Sequence, residues 1–101
     1  MATRVLGALV RDTDPSVQAI LFQSLAVLGS PVDFAPRAGL ELILHAHDVC
    51  SGLDVPFAPP NDLCARLRDH TADWPMWPFM GPGLATTDDA WSDLLRASAR
   101  L

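Results

Sequence analysis

Three aspartates carry the chemistry that the sequence offers most directly. Asp12 and Asp14 follow the apolar stretch VLGALV of residues 5–10, and Asp54 follows a weaker apolar stretch that begins at Val49. Carboxylate oxygens are the ligands that Mg²⁺ prefers, and the carboxyl ends of parallel strands meet at one edge of a sheet. The three side chains could therefore form an acidic pocket. Asp14 equally fits a helix N-cap and Asp54 a turn, so we predict no bound metal and no cofactor.

A second group of side chains with possible chemistry is His45, His47, Asp48 and Cys50. On a strand the histidines would converge on a metal, but on a helix residues two apart point in different directions. The pattern favours a helix end, where cations are stabilised. Cys50 could be a nucleophile, but it lacks the nearby basic group that would activate its thiol. We expect Cys50 and Cys64 to be free structural thiols, and we predict no catalytic residue.

The first third of the chain predicts a strand, an acidic turn and a helix. The strand is the apolar stretch of residues 5–10. Asp14 fits the N-cap of a helix and Pro15 its first position, and Gly29 fits the position just past its end. Residues 15–28 contain no charge. A helix with no charged face is expected to be covered on both sides.

The rest of the chain predicts weak strands that alternate with helices. Val32 and Phe34 alternate between two prolines, which is typical of a short edge strand. Residues 38–47 fit a helix or a strand, and we favour a helix because glutamate and leucine dominate. The remaining predictions are a third strand at residues 49–55, a helix at residues 62–70 capped by Asn61 or Asp62, an edge strand at best at residues 74–80, and a last helix from Thr87 to Leu101.

This order of elements predicts an α/β fold. Strands that alternate with helices pair in parallel through right-handed crossovers. We therefore expect one domain over residues 1–101, with three layers around a mostly parallel sheet. The alternative is a mostly helical domain in which the weak strands are loops, and the nine prolines keep that alternative open.

The same order resembles the receiver domains of bacterial response regulators. DTDPSVQAILFQSLAVLGSPVDFA is similar to the acidic turn, first helix and second strand of a receiver. LDVPFAPPNDLCARLR is similar to the third strand, the phosphoacceptor loop and the following helix, and HTADWPMWPFMG to the approach into the fourth strand. The resemblance implies a flavodoxin-like fold and a role in signalling.

The resemblance also implies roles for single residues. Asp12 matches a residue of the receiver's acidic pocket, and Asp54 matches the phosphoacceptor. Thr13 stands where a second acidic residue is usual, Met80 or Gly81 replaces the usual hydroxyl residue, and the chain has no lysine. A phosphoryl group and its metal need several carboxylates and a balancing cation. We therefore expect a degenerate receiver whose Asp54 is not phosphorylated.

The amino-acid composition argues against two classes of binding partner. The chain has 12 acidic residues against 7 arginines and a net charge of −5. That balance argues against binding to nucleic acid or to an anionic membrane. No apolar run approaches the roughly 18 residues of a membrane span, and the N-terminus lacks the regions of a signal peptide. These features predict a cytoplasmic protein.

The function that we expect from the sequence is a non-catalytic signalling or protein-interaction module. Its partner would be another protein or a second copy of the chain, bound through the first helix. One stripe of that helix would serve the core, and the opposite side would form the interface with Ala19, Phe22, Gln23 and Ala26. Two alternatives stay open: a small sulfur-relay-like carrier or enzyme that uses Cys50, and a small helical accessory protein.

Overall fold

The computed structural model describes residues 4, 8, 11–22 and 27–101, and this part of the chain is mostly helical. The chain divides into two compact units, residues 1–39 and residues 40–101. The elements are β1 (Ala19–Phe22), β2 (Val27–Gly29), α1 (Pro31–Gly52), α2 (Asn61–His70), α3 (Trp77–Met80) and α4 (Ala90–Ala97). The boundary between the units falls inside α1, after Gly39.

The first unit contains a short antiparallel hairpin where the sequence predicted a helix. β1 pairs with β2 through Ala19 and Gly29, Ile20 and Leu28, and Phe22 and Val27. Within the described residues this two-stranded sheet is the only one, so the prediction of an α/β fold with a parallel sheet is wrong and the mostly helical alternative fits. Residues 15–28 are mostly apolar and contain no charge, so their hydrophobic pattern has no clear period. Such a pattern cannot distinguish a helix from strands.

The predicted first strand falls largely on positions that the structure does not describe. Residues 5–7, 9 and 10 lie outside the described residues, whereas Ala8, Arg11 and Asp12 are helical. The prediction of one domain over residues 1–101 stays a prediction.

Helix α1 begins where the sequence predicted the second strand, and that prediction is wrong. The backbone N–H of Ser30 donates to Asp33 Oδ2 at 2.8 Å, and the N–H of Asp33 donates to the Ser30 carbonyl at 2.9 Å. The Ser30 hydroxyl also donates to Asp33 Oδ2, at 3.1 Å, so the Asp33 carboxylate caps the start of the helix from its third position, as the acidic residue of a capping box does. Pro31 occupies the first helical position, which suits proline. The bond from the Ser30 N–H also lowers the pKa of Asp33. The predicted helix at residues 38–47 is confirmed.

Two helices end on a non-glycine residue in the left-handed conformation. Asp54 follows α1 with φ of 56°, and Ala99 follows α4 with φ of 60°. At the end of α1 the Val55 N–H donates to the Cys50 carbonyl at 2.8 Å, and at the end of α4 the Arg100 N–H donates to the Leu95 carbonyl at 2.7 Å. These bonds are typical of the Schellman motif. The predicted third strand at residues 49–55 is wrong, because α1 and its cap occupy those residues.

The core of the second unit lies between its helices. Its fully buried or nearly buried apolar residues are Leu40, Leu44, Cys64, Trp77, Ala90, Leu94, Leu95 and Ala97. Trp77 starts α3, and its indole N–H donates to the Thr71 carbonyl at 2.7 Å. The aromatic residues predicted as an edge strand therefore form a helical turn over the core. Gly81 follows α3 against the backbone of α4, since a Cβ there would lie 2.7 Å from the Ala97 carbonyl oxygen.

The helix predicted at residues 62–70 is confirmed as α2, but neither predicted residue caps it. Pro60 precedes α2 and makes no side-chain cap. Asn61 instead holds the start of α4, because its amide donates to the Asp88 carbonyl at 3.1 Å and its carbonyl accepts from the Ala90 N–H at 2.9 Å. Helix α4 begins at Ala90, later than predicted, and Asp89 is its N-cap.

We predict that Ala99→Gly stabilises the protein. The left-handed conformation costs a residue with a side chain about 1–2 kcal/mol, whereas glycine loses about 0.5–1 kcal/mol of additional chain entropy on folding. The net gain should be about 0.5–1 kcal/mol in the free energy of unfolding, measured by urea titration. The control is Ala72→Gly in an exposed turn without positive φ. Equal effects of the two substitutions would contradict the strain at Ala99.

Candidate functional site

The three aspartates of the predicted acidic pocket do not sit at strand ends. Asp12 and Asp14 are exposed in the first unit, and Asp54 is exposed in the second. Asp14 Oδ1 accepts hydrogen bonds from the Ser16 N–H at 2.9 Å and the Ser16 hydroxyl at 2.8 Å, which lower the pKa of Asp14. Asp54 caps a helix rather than following a strand. The parallel sheet edge that would unite these residues is absent from the described part of the chain.

The histidines, Asp48 and Cys50 lie on α1 and make separate contacts. His45 Nε2 lies 3.1 Å from Glu41 Oε2, and the His47 ring meets the Trp91 ring edge-on at 5.7 Å. Asp48 receives two bonds from Arg100, at 2.8 and 2.7 Å, and they lower the pKa of Asp48. No group of three metal-binding side chains converges within the described residues.

The interface predicted on the first helix loses its structural basis. Ala19 and Phe22 belong to strand β1. Gln23 and Ala26 lie outside the described residues. The expectation that the chain binds a protein or a second copy stays a prediction.

A buried ion pair that the sequence did not indicate joins α2 to α4. Asp93 is fully buried, and Arg68 is 7% exposed. Arg68 Nη1 donates to Asp93 Oδ2 at 2.8 Å and to the Thr87 carbonyl at 2.9 Å. Thr87 in turn donates its backbone N–H to Asp93 Oδ2 at 2.7 Å and its hydroxyl to Oδ1 at 2.8 Å. The loop before α4 is thus fastened to both helices.

The hydrogen bonds decide the charge state of Asp93. Burial raises the pKa of Asp93, but the donors from Thr87 and Arg68 outweigh it and hold that pKa below its ordinary value. Burial also lowers the pKa of Arg68, yet the bonds to Asp69 and Asp93 more than compensate. Both groups are therefore charged near neutral pH. The charged groups of this cluster bind one another, so we assign the cluster a structural role.

The two cysteines are free and differ in exposure. Cys50 is half-buried near the end of α1, and Cys64 is fully buried in the core. Burial raises the pKa of the Cys64 thiol. Cys64 is therefore a poor nucleophile, because the thiolate is the reactive form.

A row of large apolar side chains lies on the solvent side of α1. Leu42 is 44% exposed, Val49 is 62% exposed and Leu53, just past the helix end, is 70% exposed. Seven and eleven residues from Leu42 correspond to two and three helical turns, so the three side chains form one line. Leu40 and Leu44 occupy the buried side of the same helix. We call Leu42, Val49 and Leu53 the outer stripe.

The segment that follows α1 is rich in proline. Residues 55–60 have no regular secondary structure, and we call them the proline segment. The Phe57 ring meets the Trp91 ring edge-on at 6.0 Å and fixes the segment to α4. An open depression of about 290 Å³ is lined by Ser51, Asp54, Val55 and Pro56. Leu53, the last residue of the outer stripe, lies two positions before Val55, where the proline segment begins.

Comparison of the chain with protein-family models, with curated proteins and with solved structures finds no match. Among the described residues, no helix combines the length and the apolar character needed to cross a membrane.

We predict that Asp93→Asn destabilises the protein by about 3–5 kcal/mol, because it leaves Arg68 buried without its charged partner. The control Asp69→Asn, which alters an exposed partner of the same arginine, should cost less than about 1 kcal/mol. Urea titration measures both values.

The same variant tests the pH dependence. Because folding lowers the pKa of Asp93, its stabilisation is present above the ordinary aspartate value of about 3.9 and is lost as pH falls through and below that value. The difference in stability between wild type and Asp93→Asn should therefore shrink in acid. A difference that stays constant down to about pH 3 would show that Asp93 is not an ionised partner.

We predict that a maleimide modifies Cys50 in the folded protein and reaches Cys64 only on unfolding. Cys64 is fully buried and its thiol pKa is raised, whereas Cys50 is partly accessible. The measurement is the intact mass of the protein as a function of labelling time. The variants Cys50→Ser and Cys64→Ser assign each adduct to its cysteine. Equal labelling rates in the absence of denaturant would be inconsistent with the core position of Cys64.

Proposed function

We propose that the protein is a small helical accessory protein that acts by binding another protein through the outer stripe. One observation carries this proposal: Leu42 and Val49 on α1 and Leu53 just past its end are exposed at helical spacing, while the opposite side of the helix is already buried. Isolated apolar side chains on a surface need no explanation, but an aligned row on a rigid helix is typical of helix-mediated recognition. No catalytic step is included in the proposal.

The charges beside the outer stripe favour a partner with basic side chains. Glu41 and Asp48 lie along α1, and Asp54 follows its end, all exposed. Arg100 offsets Asp48 by a bidentate bond, and His45 Nε2 lies 3.1 Å from Glu41. In a two-fold antiparallel pair of α1 helices, Glu41 of one copy would approach Asp54 of the other, and like charges would repel. A different protein with an apolar ridge and basic neighbours fits this surface better than a second copy.

We predict that Val49→Glu abolishes partner binding without unfolding the protein. A carboxylate in the centre of the stripe must be desolvated against an apolar surface, which typically costs more than 2 kcal/mol at a central position of an interface. The measurement is affinity capture from an extract of the source cells, with bound proteins compared between wild type and variant.

The matched control is Phe79→Glu, which places the same charge on α3 at a residue that is 78% exposed. The proposal expects a protein that is retained by wild type and by Phe79→Glu and lost from Val49→Glu, while circular dichroism shows equal helix content. Retention of the same proteins by Val49→Glu would overturn the proposal, and so would a wild type that retains none.

A further inference from the structure

The proline segment has a backbone that its sequence constrains almost completely. Proline fixes φ near −65° at Pro56, Pro59 and Pro60. A residue that precedes proline is confined to extended or polyproline II values, which restricts Val55 and Ala58. Only Phe57 lacks such a constraint. The observed φ of −56° and ψ of 137° at Pro60 agree with polyproline II geometry.

Polyproline II has three residues per turn, so in this conformation the segment would present three edges. Val55 and Ala58 share one edge, Pro56 and Pro59 share the second, and Phe57 lies on the third. The structure turns the Phe57 side chain to Trp91, with the two rings 6.0 Å apart. Val55, Pro56 and Ala58 are exposed and Pro59 is half-buried. The two edges that carry the pattern apolar-Pro-x-apolar-Pro are thus the ones available to a partner.

Two features favour recognition over a merely stiff connection. Three prolines restrict the backbone before binding, so that a partner would have to offset less of the entropy of ordering it. The contact of Phe57 with Trp91 anchors the middle of the segment to the helical core. A segment that only connected two helices would need no such anchor. The segment is flanked by acidic side chains, Asp54 before it and Asp62 after it, both exposed.

We propose that the proline segment is a ligand that binds, as a polyproline II ridge, in an aromatic-lined groove with basic residues at its rim on a partner protein. Aromatic-lined grooves recognise PxxP segments in the polyproline II conformation, and Pro56 and Pro59 have this spacing. Basic groups at the ends of the groove would face Asp54 and Asp62. The proposal does not depend on the outer stripe, because it uses different side chains and a different mode of recognition.

The test uses the intact protein and a panel of ¹⁵N-labelled SH3 and WW domains as probes of known aromatic-groove chemistry. The expected result is that at least one domain shows chemical-shift changes confined to its groove, and that Pro56→Ala and Pro59→Ala each weaken this binding by about tenfold. The control Pro82→Ala changes an exposed proline in another loop and should leave the affinity unchanged. Added salt or Asp54→Asn should weaken the binding, because both reduce the attraction to the basic rim.

The outcomes separate the two proposals. Binding that survives Val49→Glu and is lost in Pro56→Ala supports the proline segment alone. Groove binding that is insensitive to both proline variants overturns this inference, and so does a complete absence of groove shifts across the panel. Phe57→Ala gives a further check, because release from Trp91 should weaken binding even though Phe57 does not face the partner.

Discussion

The carboxylate of Asp93 constrains the second unit more than any other group, because it is charged and fully buried. An ionised carboxylate without partners in such a place would cost many kcal/mol, and the chain would rearrange or protonate it. The carboxylate is tolerated because Arg68 and Thr87 supply three short hydrogen bonds. Helix α2, the loop before α4 and α4 itself must therefore adopt their places together. A buried pair of this kind is weak evidence for added stability, so its effect is on which arrangement forms.

Once α4 is fixed, its other residues determine what surrounds it. Leu94 lies in the apolar core, Trp91 contacts both His47 and Phe57, and Arg100, just past the end of α4, binds Asp48. These contacts hold the part of α1 from residue 40 onward against α4 and the residues that follow it. The outer stripe is then left on the solvent side as a consequence of this packing. The exposed apolar row is thus a geometric result of how α4 is anchored.

The sequence predicted the parts of the fold that local patterns determine. The helix at residues 38–47 was predicted from its glutamate and leucine content, although its pattern also fitted a strand, and helix α2 was predicted as well. The hairpin was missed because residues 15–28 are apolar nearly all round. The start of α1 was missed although Ser30, Pro31 and Asp33 are residue types that favour a helix N-terminus. The outer stripe was not predicted, because the predicted helix ended at His47 and so did not include Val49 and Leu53 together with Leu42.

The buried pair could not have been found from the sequence. Arg68 lies 25 positions from Asp93, and Thr87 lies 6 positions away. No local pattern separates Asp93 from the other acidic residues, because its burial is set by tertiary packing. Thr87 was expected to start the last helix, since hydroxyl and acidic residues favour that position. Instead its hydroxyl binds Asp93, and Asp89 takes the capping role.

The left-handed residue at Asp54 links the two surfaces that face solvent. Its conformation ends α1 and, with the bond from Val55 to Cys50, sets the direction in which the chain leaves the helix. Leu53 lies just before this turn and Val55 just after it, so the turn also fixes the angle between the outer stripe and the proline segment. The far part of the segment is held by Phe57 against Trp91, two positions before Asp93 on α4. The orientation of both surfaces therefore depends on the same buried carboxylate, although neither surface touches it.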